Sequence, residues 1–276
     1  NEQPEARPLL VELLSEHVQH WTQGATVDQA RTWQGLQYQQ DQAWDRAVFA
    51  YSKVSRDFGQ LDKVLKQLEI CWVALIEQLD DQTADEQIDR AVEHFAMRVM
   101  DIEQWQPGDR QAVLSLASLL IRYKGSYQQA LSIINQCAEG SPEPTASWVA
   151  SSSSLRIVAL AATGQQSEAN ELIEQLGNGK PNRWLDMLEQ LTMLASRSSM
   201  EITKRIGALQ VETIELLSER IDSEDDDFKR RWEFQRALSL SYAGQTDESI
   251  ASFKKLATQN PKSGVIQRGY GNVLLD

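Results

Sequence analysis

Glu16, His17 and His20 stand within two turns of one another near the start of the chain, and imidazole and carboxylate at that spacing are side chains that hold zinc. A zinc site needs a third and fourth ligand at fixed spacing. The two cysteines, Cys71 and Cys137, lie far off in sequence and in apolar helical contexts, so they read as reduced core residues. His17 and His20 are therefore expected as solvated or half-buried helix residues, and His94 beside Phe95 as a helix-surface residue. The acidic run Asp222, Glu224, Asp225, Asp226 and Asp227 lacks the alternating ligands and central glycine of a calcium loop. It reads as a loop and helix cap, since carboxylates favour the positive end of a helix. In Gly177-Asn178-Gly179-Lys180-Pro181 the spacing is wrong for a phosphate loop, and Pro181 stands where a metal-binding hydroxyl would be needed. The run Ser151 to Ser154 has no histidine base nearby in sequence, and Trp148, Leu155 and Val158 carry an apolar pattern through it. It is expected as a helix with a small-residue face that leaves room for a ligand. No catalytic residue, metal or cofactor is expected.

The elements that carry these residues all read as helices. The chain has 276 residues, 41% of them hydrophobic, enough for a sizeable core. Apolar runs such as Cys71 to Ile76 fall far short of the roughly 20 residues that span a bilayer, so no membrane insertion is expected. A net charge of −13, with 27 scattered basic residues against 40 acidic ones, repels phosphate backbones; nucleic acid is not an expected partner, whereas a basic protein face is. Two thiols leave the compartment open, with the cytoplasm slightly favoured and an exported or membrane-anchored parent still open. The chain opens on Asn1 and breaks off after one helix of a unit, which reads as a piece of a larger protein.

A repeat organises the helices. A small residue followed by an aliphatic one recurs at Ala47-Val48, Ala91-Val92, Ala130-Leu131, Ala208-Leu209 and Ser249-Ile250, with Ala169-Asn170 in the same series. The steps between the small residues are 44, 39, 39, 39 and 41. Four residues after each stands a large apolar one, Tyr51, Phe95, Ile134, Ile173 and Phe253, with Glu212 the exception. Residues four apart share a helical face, so each pair offers a small-then-large surface that only a stack of helix pairs can bury. Gly125, Gly164 and Gly244 precede the small residue and mark tight turns. Capping boxes are read at Thr83 to Glu86, Ser126 to Gln129 and Ser198 to Glu201, and Pro107, Pro142, Pro181 and Pro261 fall between periodic segments. The pattern predicts 13 to 14 helices, including 43–57, 84–103 and 199–221, with no strands of note.

The stretch Trp232, Ala237, Leu240, Gly244, Ile250, Phe253, Leu256 and Pro261, with Tyr270-Gly271 and Leu274 after it, resembles the tetratricopeptide-repeat family. Ser118 to Pro142 and Trp33 to Val54 are similar to it. The period of 39 to 44 is longer than that family's 34 residues and would also suit HEAT or armadillo repeats, and 178–227 matches least. The resemblance implies an all-α, right-handed superhelical solenoid of antiparallel helix pairs over 1–276, one domain that binds proteins and catalyses nothing.

It also implies where a partner would lie. In such proteins the first helix of each pair lines a concave groove, which maps here onto Leu119, Arg122 and Tyr123, then Arg231, Phe234, Leu238 and Tyr242, then Arg268 and Asn272. Thr32, Leu36, Ser115 and Leu119 stand where a chaperone-tail clamp would need cations and amides, so that ligand is not expected. The expected partner is a protein or peptide, of basic character, gripped by Arg122, Tyr123, Arg231, Phe234, Tyr242, Arg268 and Asn272. The alternatives are a structural spacer within a larger protein and, remotely, an α-helical enzyme. Oligomeric state is left open.

Overall fold

Three interhelix turns share one hydrogen-bonding pattern, and a fourth is a variant of it longer by one residue. In the computed structural model, which describes residues 6–100, 102, 104–140, 145–177, 181–196, 200–218 and 225–275, Gly125, Gly164, Gly244 and Gln42 take positive φ of 60°, 81°, 80° and 57°. Each stands five residues before a small residue of the repeat, namely Ala130, Ala169, Ser249 and Ala47. The N–H after the turn residue closes back on the preceding helix in each case: Gln165 on Leu160 O, Gln245 on Leu240 O and Ala43 on Tyr38 O. At Gly125 the bond reaches one residue further, from Ser126 N to Leu120 O, because Leu120–Lys124 is a π-helical turn that adds a residue to the loop. Gln42 is the member that no glycine signal could reveal.

Fourteen α-helices result among the described residues, and no strand: α1 Ala6–His20, α2 Ala25–Gln40, α3 Trp44–Ser52, α4 Leu61–Ile76, α5 Asp81–Val99, α6 Pro107–Leu119, α7 Tyr127–Gly140, α8 Ala146–Ala162, α9 Gln166–Gly177, α10 Pro181–Ala195, α11 Met200–Ser218, α12 Asp226–Tyr242, α13 Thr246–Gln259 and α14 Gly264–Val273. Their contacts fall into two compact units, 1–119 with 135–144, and 120–134 with 145–276. In unit 1, α2 packs on α1 and α3, and α4 on α3, α5 and α6. In unit 2, α10 touches α8 and α12, α12 touches α14, and each of these first helices packs on its hairpin partner.

The small-then-large pairs sit where the repeat requires. Ala47, Ala91, Ala130, Ala169 and Ser249 are fully buried, as are Phe95, Ile134 and Phe253 four residues on. The fifth member is corrected by one residue: Ala208 is exposed, and the buried small residue is Gly207. A Cβ on Gly207 would lie 2.6 Å from the Tyr242 carbonyl carbon, so α11 and α12 approach backbone to backbone there. Counting from Gly207, the fourth residue is buried Val211 rather than exposed Glu212, and the exception in the series disappears.

Three other expectations shift. α3 stops at Ser52 instead of 57, because side chains from α2 and α5 seize the carbonyls that would continue it. α5 starts at Asp81, capped by Asp80, whose carboxylate accepts from Thr83 N and Oγ1 at 3.1 Å; Thr83 is thus the bonded residue and not the cap. Those bonds hold the Asp80 carboxyl below its usual range. Pro107 and Pro181 open α6 and α10, where a missing N–H costs nothing. The proposed cap at Ser198, the loop residues Asn178 to Lys180, and Pro142, Asp222 and Glu224 lie outside the described residues.

Candidate functional site

α12 puts Arg231, Phe234, Leu238 and Tyr242 on one stripe, at steps of three and four residues. Phe234 is half-buried and meets Phe253 edge to face, with ring centroids 5.6 Å apart, and Leu238 packs on the same cluster with Ile266 and Val273. The cluster closes because Gly269 has no side chain; a Cβ there would stand 2.8 Å from Phe253 and 3.1 Å from Phe234. Phe234 is thus an anchor of the core as well as a surface residue.

Arg231 reaches across to α10. Its Nη2 donates to both Glu189 oxygens at 2.8 and 2.9 Å, Nε donates to Oε1 at 3.1 Å, and Asp186 stands 3.6 Å away. The Glu189 hydrogen bonds raise the Arg231 pKa further above its already high range. Arg230 pairs with Asp227 in the first turn of α12. Asp225 caps that helix by accepting from Asp227 N at 2.9 Å, as the acidic run implied.

Between α10, α12 and α14 these groups enclose a cleft of about 180 Å³, lined by Glu189, Asp227, Arg230, Arg231, Phe234, Val265 and Ile266 among others. Two carboxylates (Glu189, Asp227) and two guanidiniums (Arg230, Arg231) line it as ion pairs, with Asp186 3.6 Å behind Arg231. Val265 is 66% exposed at its edge, and Arg268 and Asn272 continue from it along one face of α14, both exposed. Arg231 and Phe234 therefore share a cleft, and Arg268 and Asn272 extend its rim. Val265 escaped sequence reasoning; its only signal was the apolar pair Val265-Ile266 straight after Gly264.

The remaining expected positions lie elsewhere. Tyr242 is half-buried at the end of α12, where Gly207 lets the helices close. Arg122 and Tyr123 lie half-buried in the π-helical turn, beside α8 and outside the cleft. Leu119 is fully buried and lines no groove. Ser152, Ser153 and Ser154 are buried inside α8, and Ser154 donates to Gln190 Oε1 of α10 at 2.8 Å. Small residues there seat a neighbouring helix instead of leaving room for a ligand.

Both cysteines are buried and neither is in a disulfide, and burial pushes the Cys71 thiol up to about 12. Among the described residues no three side chains could share a metal ion. His94 is only partly at the surface: half-buried against Phe95, it accepts from Arg98 Nε at 3.1 Å through Nε2, and burial with the Arg98 and Lys53 charges pushes it down to about 4. No helix of the described chain is long and apolar enough to cross a membrane. No protein-family model matches the chain, and no curated protein matches it as a relative.

Proposed function

We propose that the chain is a divergent tetratricopeptide-type scaffold, a right-handed solenoid of antiparallel helix pairs, that binds a protein or peptide partner of basic character without catalysis. The repeat register and the four related turns support the fold reading, and the cleft between α10, α12 and α14 supports the function. The observation that carries it is the juxtaposition of exposed Val265 with the Phe234 ring inside a rim of ion-paired carboxylates and guanidiniums. An apolar anchor with a charged rim is the anatomy of a binding hot spot. Arg231 acts by holding Glu189 in place, since its guanidinium is already engaged on both oxygens.

Affinity capture with the wild-type chain, followed by identification of what binds, provides the test. The double variant Val265→Asp with Glu189→Gln is expected to lose the captured partner while keeping its helical circular dichroism. Undiminished capture by a folded double variant would overturn the site.

A further inference from the structure

A second groove lies in unit 1, about 390 Å³ in volume, between α1, α2 and α3. Its apolar lining comes from Val18, Tyr38, Phe49 and Ala50, and its charged lining from Arg31 and Lys53, with no carboxylate among the described residues that line it. That balance runs against the chain as a whole, whose net charge is −13. Arg31 is offset from beneath by buried Asp28, 3.3 Å from its Nη1. Among the described residues Lys53 has no ion-pair partner, and it stands 5.5 Å over the ring of Phe49, a phenylalanine that is 66% exposed. Arg46 lies over Tyr38 at 6.0 Å.

Burial is the main cause that lowers His94 and Arg98; Arg98 and then Lys53 add to it at His94, and Arg56 adds to it at Arg98, where Asp109 opposes it. The carboxylates that answer these cations, Asp28 and Asp109, are 2% exposed and turned inward. Cations at the surface with their counter-ions below leave a field that attracts negative charge from outside.

We propose that this groove receives an acidic segment of a partner protein, which lays one bulky apolar side chain against Phe49 and Tyr38 and a carboxylate on Lys53. The volume holds an aromatic or branched aliphatic side chain with its flanking backbone, and the exposed edge of Phe49 supplies the contact. The site is independent of the cleft in unit 2 and selects the opposite charge.

Fluorescence anisotropy of the full chain with two labelled peptide pools tests it. One pool carries a single Phe, Leu or Trp among Asp and Glu; the other carries the same residue among Lys. The acidic pool is expected to bind at least about tenfold more tightly, and to weaken as salt rises. Lys53→Glu is expected to lower that binding about tenfold and Phe49→Ala several-fold, with helical content unchanged in each, while Val265→Asp leaves it alone. Absence of acidic-pool binding, equal binding of the two pools, or full binding by folded Lys53→Glu would overturn the proposal. So would self-association of the free chain that Lys53→Glu abolishes, which would give the groove to a second copy.

Discussion

The two units bury different polar chemistry. Among the described residues unit 1 buries two carboxylates, Asp28 and Asp109, beside neutral Gln34, Ser115 and Ser118, whereas the buried polar side chains of unit 2 are all neutral: Ser152, Ser153, Ser154, Gln210, Thr213, Gln235, Ser239 and Ser249. The charges of unit 1 converge on the connection between α3 and α4. Asp28 accepts from Ser55 N at 3.0 Å and from Ser55 Oγ; Arg31 donates to Lys53 O at 2.8 Å; Arg98 donates to Val54 O at 3.1 Å. Arg56 completes the set on Asp109, which also accepts from Gln106 N at the start of α6. In unit 2, Gln210 and Gln235 both donate to Thr192 Oγ1 and Leu188 O of α10, so two amides tie three helices. The irregular connection leaves several carbonyls and N–H groups without helical partners, and charged side chains satisfy them strongly. Where helices meet closely, as at Gly207, short neutral bonds suffice.

The sharpest way to break the contrast is to remove one member from each set. Asp28→Ala removes the carboxylate that pairs with Arg31 and accepts from the Ser55 amide, and is expected to cost about 4 kcal/mol in denaturant unfolding. Gln210→Met removes two neutral bonds and is expected to cost about 1.5 kcal/mol. Equal losses would erase the distinction. Gly207→Ala should cost about 3 kcal/mol, because the methyl meets the α12 backbone rather than a yielding side chain, whereas Ala208→Leu on the exposed side should stay within about 0.5 kcal/mol. A reversal of those two effects would restore Ala208 to the repeat.

The pH dependence should also differ. His94 takes a proton near pH 6.5 in the unfolded chain and only near 4 when folded, so the unfolded state binds more protons between those values. Stability is therefore complete above about 6.5 and is lost as pH falls towards 4, by up to about 3 kcal/mol from this group. His94→Gln should flatten that part of the curve. One expected effect is a gain: Gln42→Gly relieves a side chain at φ 57° and should add up to about 1 kcal/mol, while Gly164→Ala at φ 81° should cost a similar amount.

Much of this was legible in the sequence because it depends on local rules. The glycine turns, the buried Ala and Phe positions and the proline helix starts all follow from backbone sterics and a fixed period. Ala208 misled because an alanine and a glycine stand side by side and only the approach of α12 chooses between them. Gln42 was invisible because a left-handed glutamine carries no composition signal. Asp28 and Asp109 look like ordinary helix carboxylates; their partners Ser55 and Arg56 lie 27 and 53 residues away, and no local pattern links them. Of the expected partner face, the α12 stripe was recoverable from helical spacing, but Glu189 and Val265 joined it only through the packing of α10 and α14.

Hydrogen exchange followed by mass spectrometry at pH 7 and pH 4.5, corrected for intrinsic exchange, tests most directly whether the two units depend on different polar chemistry. Protection is predicted to fall first in α3, α5 and the connection between α3 and α4, around His94 and Arg98, while α10, α11 and α12 around Gln210 and Gln235 hold theirs. Loss of protection in α10 to α12 first, or to the same degree in both units, would contradict the account.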